Sequence, residues 1–180
     1  MREITCSTIT DAIKKMCIEA ATILPQDVEK ALSQKHDEED SALAKKTLQV
    51  LMDNAKLAQE KQMPICQDTG MAFVYVTMGQ EVHITGGSLN EAIQEGVRQG
   101  YTEGYLRKSV VKDPLFERTN TKDNTPAIIY YDIVPGDKIK ITVAPKGFGS
   151  ENMTGVWHSG CLPPKYSIPT PESPPPDKGF

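Results

Sequence analysis

Helical periodicity fills the first third of the chain and ends just before Pro64. Apolar residues recur at three- and four-residue steps over residues 8–24 and again over residues 41–62, which is the spacing of one face of an α-helix. Between these segments, Pro25 and the acidic residues that follow it favour the start of another helix, over residues 25–35. The sequence therefore predicts three helices before the first strand.

After the third helix the pattern changes to that of strands. Residues 71–78 form a continuous apolar run rich in β-branched and aromatic residues, which predicts a buried strand. Residues 127–133 and 138–144 are predicted to be two more strands, and Pro135 with Gly136 between them fit a type II turn, so we expect an antiparallel hairpin. N-terminal helices, then strands with one inserted helix, predict an α+β fold with a mainly antiparallel sheet.

The inserted helix carries glycine on the face that should be buried. Ser88 and Glu91 have the spacing of a capping box, which predicts a helix from there to about Tyr105. Its inner face includes three glycines at four-residue spacing, Gly96, Gly100 and Gly104. Each of them destabilises a helix by roughly 1 kcal/mol relative to alanine. We therefore expect a backbone or a sheet to pack closely against this face.

Charge and composition exclude several classes of function. The chain has 20 Lys and Arg against 24 Asp and Glu, and its basic residues are not clustered, which argues against a nucleic-acid-binding surface. No stretch approaches the roughly 18 apolar residues of a membrane span, and the first residues lack the apolar run of a secretory signal. The four cysteines include no closely spaced pair, which argues against a disulfide scaffold. We expect a cytoplasmic protein with reduced thiols.

The composition changes abruptly at Gly155. Seven of the 13 prolines lie between Pro163 and Pro176, and hydrophobic periodicity is weak there. A segment of this kind cannot bury enough apolar surface to offset the conformational entropy lost on ordering. We therefore divide the chain into a folded region, residues 1–154, and a disordered or non-native tail, residues 155–180.

The loop at residues 66–70, with the sequence Cys-Gln-Asp-Thr-Gly, lies between a helix and a buried strand. Loops anchored by rigid elements are where functional sites concentrate. The thiolate of Cys66 could bind a soft metal, and Gln67 and Asp68 could hydrogen-bond a polar ligand. The alternative is that Cys66 is a small buried apolar side chain, and the spacing favours neither interpretation.

Two more segments have residue types suited to an anion. The glycines of the loop at residues 146–152 would let successive backbone N–H groups point at one centre, and Lys146 adds positive charge. An ordinary glycine-rich turn is the alternative, which the pattern alone favours. Arg107, after the glycine-bearing helix, could grip a carboxylate with two parallel hydrogen bonds or simply stabilise the helix C-terminus.

Taken together, these segments resemble the α-type, N-terminal half of class I fumarate hydratases and of the related L-tartrate dehydratases. The resemblance rests on residues 66–70, on Leu-Arg-Lys-Ser-Val-Val at 106–111 and on Lys-Gly-Phe-Gly-Ser-Glu-Asn-Met at 146–153, and it covers residues 1 to about 154. It implies a hydro-lyase of the tricarboxylic acid cycle that converts fumarate and water to L-malate. The alternatives are an L(+)-tartrate dehydratase α subunit and a non-catalytic interaction module without a cluster.

The resemblance also implies a cofactor, site residues and partners. It implies an oxygen-sensitive [4Fe–4S] cluster held by three cysteines, one at the position of Cys66, with an open iron that acts as a Lewis acid. Asp68 is implied to be catalytic. The residues implied to contact a small dicarboxylate are Gln67, Asp68, Arg107 and Gly149. A β-type subunit or a C-terminal domain is the implied partner, in a homo- or hetero-oligomer.

Two features depart from the family pattern. Phe148 stands where many relatives have glycine. After Met153 the family continues into further cysteine-bearing segments, whereas this chain enters its proline-rich tail, and Cys161 comes too soon to match the proline-flanked ligand of the family. We therefore expect an incomplete catalytic region that is inactive and cannot hold a cluster by itself.

Overall fold

The computed structural model describes residues 2–149, and its elements follow the predicted order with two additions. The elements are β1 (Arg2–Thr5), α1 (Cys6–Thr22), α2 (Gln26–Glu38), α3 (Ala42–Lys61), β2 (Met71–Gly79), β3 (Val82–Thr85), α4 (Leu89–Glu103), β4 (Ile128–Val134) and β5 (Ile139–Lys146). The α+β class is confirmed, and the additions are the short strands β1 and β3. The expectations for Cys161 and for the tail at 155–180 lie outside the described residues.

The larger sheet is mixed, with β2 at its centre. Strand β2 runs parallel to β4 on one side and antiparallel to β5 on the other, while β1 and β3 form a separate parallel pair. The predicted hairpin is therefore wrong, because β4 and β5 both border β2 and do not pair with each other. The turn chemistry explains the error: Gly136 has φ +117°, as a type II turn allows, but such turns splay the flanking strands.

Helices α1 and α4 pack in close contact, as the glycine spacing predicted. A Cβ atom at Gly96 would lie 2.6 Å from the Cβ of Ile13 and 2.7 Å from the carbonyl oxygen of Thr10. A Cβ atom at Gly100 would lie 2.8 Å from the Cβ of Cys17. The element that packs closely against these glycines is therefore α1. The core between this helix pair and β2 includes Ile9, Ile13, Cys17, Val74, Val76, Ile93, Val97 and Tyr101.

Helices α2 and α3 lie outside this core and pack mainly against each other. Helix α2 has no buried residue, and in α3 only Ala58 is buried. The end of α3 positions the next loop, because Gln62 adopts a left-handed conformation that turns the chain away from the helix. None of the helices within residues 2–149 is long and apolar enough to cross a membrane.

The connection between α4 and β4 is held by side-chain hydrogen bonds, several of them to Asp123. Its carboxylate accepts hydrogen bonds from Nε of Arg98 at 3.0 Å and from the backbone N–H and hydroxyl of Thr125 at 3.0 and 2.8 Å. Burial by itself raises the pKa of the Asp123 carboxyl, but these hydrogen bonds outweigh it and lower the pKa to about 2. Ionised Asp123 therefore stabilises the fold.

We expect this carboxylate to make the fold sensitive to acid. The unfolded chain takes up a proton near the ordinary pKa of 3.8, above the folded value of about 2, so the stabilisation is complete above pH 3.8 and is lost as the pH falls through about 2. Asp123→Asn should therefore lower the melting temperature at pH 6, and the difference from wild type should narrow as the pH falls. Asp132→Asn, at an exposed carboxylate of β4, is the control. A melting-temperature difference between wild type and Asp123→Asn that stays constant with pH would contradict the stabilising role of ionised Asp123.

Candidate functional site

Three segments that are far apart in the sequence meet around one cavity of about 490 Å³. They are the loop at residues 66–70, the segment 107–111 and the loop after β5. The cavity volume lies within the range of small-molecule sites. The residues that matter most to its chemistry are Asp68, Gly70, Arg107, Ser109, Phe148 and Gly149.

The loop at residues 66–70 is anchored to two helices where it begins. Nδ2 of Asn54, on α3, donates a hydrogen bond to the carbonyl oxygen of Ile65 at 2.9 Å. The N–H of Ile65 donates in turn to the carbonyl oxygen of Ala21, on α1, at 2.9 Å. Cys66 therefore follows a fixed point of the backbone, although its own side chain is exposed.

The same loop ends at Gly70, pressed against the end of β5. Gly70 has φ +61°, and a Cβ atom there would lie 2.1 Å from the carbonyl oxygen of Lys146. Its N–H donates to Oδ1 of Asp68 at 3.2 Å. The other carboxylate oxygen, Oδ2, faces the loop after β5, since a Cβ atom at Gly147 in that loop would lie 2.9 Å from it. The carboxylate of Asp68 thus lies between its own loop and the loop that follows β5.

Arg107 links this cavity to a second one. Its side chain is exposed and lines both the 490 Å³ cavity and a neighbouring cavity of about 350 Å³. The second cavity is also lined by Cys66 and Gln67. Of the predicted site residues, Asp68 and Gly149 line the first cavity, Cys66 and Gln67 line the second, and Arg107 lines both. Cys66 and Asp68 also line a smaller cavity of about 140 Å³.

The loop after β5 was predicted to bind an anion through Lys146 and its backbone N–H groups, but in the structure Lys146 also contacts an aromatic ring. Nζ of Lys146 lies 5.2 Å from the centroid of the Phe148 ring, a distance at which a cation is attracted to an aromatic face. Phe148 also lines the 490 Å³ cavity and is exposed. Gly149 lies beside it, and a Cβ atom there would lie 3.8 Å from Oδ2 of Asp68. Residues 150–152 of the predicted loop lie outside the described residues.

The cysteines of the described residues differ sharply in accessibility. Cys17 is 2 % exposed, and burial raises the pKa of its thiol to about 12. It is therefore protonated at neutral pH and a poor metal ligand, because metals bind the thiolate. Cys66 is exposed, and its Sγ accepts a long hydrogen bond from the N–H of Asp68 at 3.5 Å. The alternative that Cys66 is a small buried side chain is therefore wrong.

A [4Fe–4S] cluster requires several thiolates, and of the three cysteines in the described residues Cys66 is exposed, Cys6 is half-buried and Cys17 is buried. Cys66 has the exposure and the chemistry of such a ligand. Within residues 2–149, however, no three His, Cys, Asp or Glu side chains are grouped so that they could hold a metal ion. This part of the chain can therefore supply one thiolate ligand, Cys66, to such a cluster.

The buried hydrogen bonds behind the cavity were not predicted from the sequence. The side chain of Asn124 is fully buried, and its Oδ1 accepts from the N–H groups of Ser109 at 2.7 Å and Val110 at 3.2 Å. Its Nδ2 donates to the carbonyl oxygen of Gly70 at 3.0 Å. The available signal was a polar Asn-Thr-Pro sequence at 124–126, which by itself indicates only a turn.

A second set of hydrogen bonds joins the same segments. The hydroxyl of Thr69 donates to the carbonyl oxygen of Arg107 at 2.9 Å. The hydroxyl of Tyr101, on α4, donates to the carbonyl oxygen of Thr69 at 2.8 Å. Burial raises the pKa of Tyr101, so its phenol remains a neutral donor. The backbone at Arg107 is thus tied to the Cys66 loop while its guanidinium stays exposed.

Comparison with known proteins finds a family model and several relatives that match most of this chain. The family model described as fumarate hydratase (fumerase) matches residues 10–168, which is more than half of the chain. A protein of Methanocaldococcus jannaschii named for the alpha subunit of L(+)-tartrate dehydratase is 38% identical over 152 residues, covering 82% of this chain and 53% of its own length.

Two relatives from Escherichia coli extend this result. The class I, anaerobic fumarate hydratase of strain K12 is 37% identical over 123 residues, covering 68% of this chain and 22% of that protein. The L(+)-tartrate dehydratase subunit alpha of strain UTI89 is 30% identical over 145 residues, covering 78% of this chain and 47% of that subunit. The chain therefore spans about half the length of the tartrate dehydratase relatives and much less of the fumarate hydratase.

Proposed function

Because the chain belongs to the fumarate hydratase (fumerase) family of hydro-lyases, we propose that it forms part of a cytoplasmic enzyme that interconverts fumarate and L-malate. The observation that carries the proposal is the convergence of Asp68, Arg107 and Gly149 on one cavity of about 490 Å³. L(+)-tartrate is the second candidate substrate, since the relatives named for tartrate dehydratase match more of this chain than the fumarate hydratase does.

Arg107 and its neighbours account for dicarboxylate binding in this proposal. The guanidinium of Arg107 can hold one carboxylate through two parallel hydrogen bonds, and its exposure leaves it free to reach a ligand in either cavity. Gln67, which lines the second cavity, would donate an amide hydrogen bond to the ligand. Gly149 carries no Cβ, so the backbone can approach the ligand closely from the opposite side.

We assign the proton transfer to Asp68. Adding water to fumarate, or removing it from malate, requires a proton to be delivered to or taken from carbon. Oδ1 of Asp68 is held by the N–H of Gly70, whereas Oδ2 lies toward Gly149 and the cavity. Oδ2 is therefore the atom that would hold the proton, and the hydrogen bond to Oδ1 fixes the direction of transfer.

Cys66 is the proposed ligand for the [4Fe–4S] cluster. When bound, the cluster would supply a Lewis acid that polarises a substrate oxygen. The further thiolates must come from outside residues 2–149, from the same polypeptide or from a β-type subunit or C-terminal domain in an oligomer. We further propose that residues 1–154 form the catalytic region and that 155–180 are a tail that carries no site residue.

Dicarboxylate binding to the 180-residue chain tests the proposal. Arg107→Gln should weaken fumarate or L-malate binding at least about tenfold, because a charge-assisted hydrogen bond contributes roughly 1.5–3 kcal/mol. The measurement is a nuclear magnetic resonance titration with fumarate, L-malate and L(+)-tartrate. The order of the three affinities decides between the two substrates.

The matched control is Lys108→Gln, which removes the same charge one residue away. Its dissociation constant should stay within about twofold of the wild-type value. Equal losses in the two variants would mean that only net charge matters and would exclude a bidentate Arg107 site. If the unsubstituted chain binds none of the three acids, the interaction module without a cluster becomes the better explanation.

A further inference from the structure

One buried side chain joins the loop that carries Asp68 to the segment that carries Arg107. Asn124 accepts hydrogen bonds from the N–H groups of Ser109 and Val110 and donates one to the carbonyl oxygen of Gly70. We propose that Asn124 is a positioning residue of the dicarboxylate site, which holds Arg107 at a fixed distance from the Asp68 carboxylate. The inference rests on the proposed function of these two residues.

The chemistry of this position selects asparagine. The same side chain must accept two N–H donors and donate to a carbonyl oxygen, which a neutral amide can do and an ionised carboxylate cannot. The backbone of Asn124 also has φ +62°, a left-handed conformation that asparagine adopts more readily than other residues with a Cβ atom. Both requirements meet at a residue with no exposed surface.

The arrangement indicates positioning in addition to stability, because two bridges hold the same pair of segments. The hydroxyl of Thr69 ties the backbone of Arg107, and Asn124 ties the next two peptide groups, at Ser109 and Val110. Loss of the Asn124 bridge leaves the Thr69 bridge in place. The segment could then pivot about Arg107 without unfolding, and a displacement of about 1 Å is enough to cost two orders of magnitude at a reacting centre.

Two variants separate the parts of the Asn124 bridge. Asn124→Gly removes the amide while keeping a residue that tolerates the left-handed backbone. Asn124→Asp keeps the acceptor for Ser109 and Val110 but loses the donor to Gly70 when it is ionised. Val97→Ala, in the buried core of α4, is the control for a general loss of stability.

The measurements are fumarate and L-malate titrations, amide hydrogen exchange and the carbonyl carbon chemical shift of Gly70, all on the 180-residue chain. Both Asn124 variants should weaken binding at least about tenfold, whereas Val97→Ala should change it by less than about twofold at a temperature where all are folded. In Asn124→Asp, the carbonyl carbon resonance of Gly70 should shift upfield, because its oxygen loses the Nδ2 donor, while the Ser109 and Val110 amides stay protected from exchange. A tenfold loss of affinity corresponds to the loss of one buried hydrogen bond.

Three results would overturn the inference. Binding as tight as wild type in both Asn124 variants would leave Asn124 with a purely structural role, as would equal losses in Asn124→Gly and Val97→Ala. Variants that are both unfolded at 10 °C would show that Asn124 is needed for folding instead. If the unsubstituted chain binds neither acid, the proposed function fails separately, and an unchanged carbonyl carbon shift of Gly70 in Asn124→Asp then decides against the bridge itself.

Discussion

Gly70→Ala is expected to remove a large part of the stability of the fold together with dicarboxylate binding. A Cβ atom at Gly70 would lie 2.1 Å from the carbonyl oxygen of Lys146 and 2.5 Å from the backbone nitrogen of Gly147, and neither atom can rotate away. The left-handed backbone adds about 1–2 kcal/mol of strain for a residue with a Cβ atom, and overpacking adds about 1–3 kcal/mol. We expect a loss of about 2–5 kcal/mol in urea unfolding, the sum of the two effects, out of a total that is typically about 5–15 kcal/mol.

Gly86→Ala is the matched control for this substitution. Gly86 also has a positive φ, +82°, but a Cβ atom there would meet none of the described atoms within 4 Å. It should therefore show the backbone strain alone, about 1–2 kcal/mol, and leave binding intact. Equal losses at the two positions would contradict the close approach of Gly70 to β5, and unchanged binding in a folded Gly70→Ala would contradict its place in the site.

The elements that the sequence predicted best are those whose signal is local. Helices α1 and α3 have apolar residues at helical spacing, and α2 follows Pro25 and has acidic residues in its first turn. The destabilising glycines of α4 required a close neighbour, which α1 supplies. The short strands β1 and β3 were missed because four residues carry too little alternation to be distinguished from a loop. The order of strands in the larger sheet was mispredicted because a turn between β4 and β5 does not encode that β2 lies between them.

In the candidate site, too, the residues with a local sequence signal were predicted, whereas a residue defined by its tertiary contacts was not. Cys66, Asp68 and Arg107 stand out by residue type and by the family motif, and the structure brings Asp68 and Arg107 to one cavity. Asn124 did not stand out, because its partners lie 14, 15 and 54 residues away in the sequence. A buried polar side chain acquires its role from tertiary contacts, which composition and spacing do not record.

Cys66 and Cys17 should behave oppositely toward iron and toward alkylating reagents. Cys66 is exposed, whereas Cys17 is buried with its pKa raised to about 12. Only the thiolate is nucleophilic, so N-ethylmaleimide at pH 7 should modify Cys66 at least about a hundredfold faster than Cys17. Peptide mass mapping after timed quenching measures the two rates in the same sample. Comparable rates would show that the core around Cys17 opens or that Cys66 is shielded.

The same difference predicts the outcome of anaerobic reconstitution with iron and sulfide. The described residues offer one exposed thiol, and a cubane cluster is normally held by three or four. The 180-residue chain alone should therefore retain far fewer than about four irons and should not hydrate fumarate.

With a β-type subunit or a C-terminal domain of the family added, a cluster should form in the wild type and be abolished by Cys66→Ser. Cys17→Ala should keep the cluster and lose only about 1 kcal/mol of stability, as a small buried truncation does. Full iron content in the isolated chain would refute the claim that the described residues supply a single cluster ligand, whereas an intact cluster in the Cys66→Ser complex would refute the ligand role of Cys66.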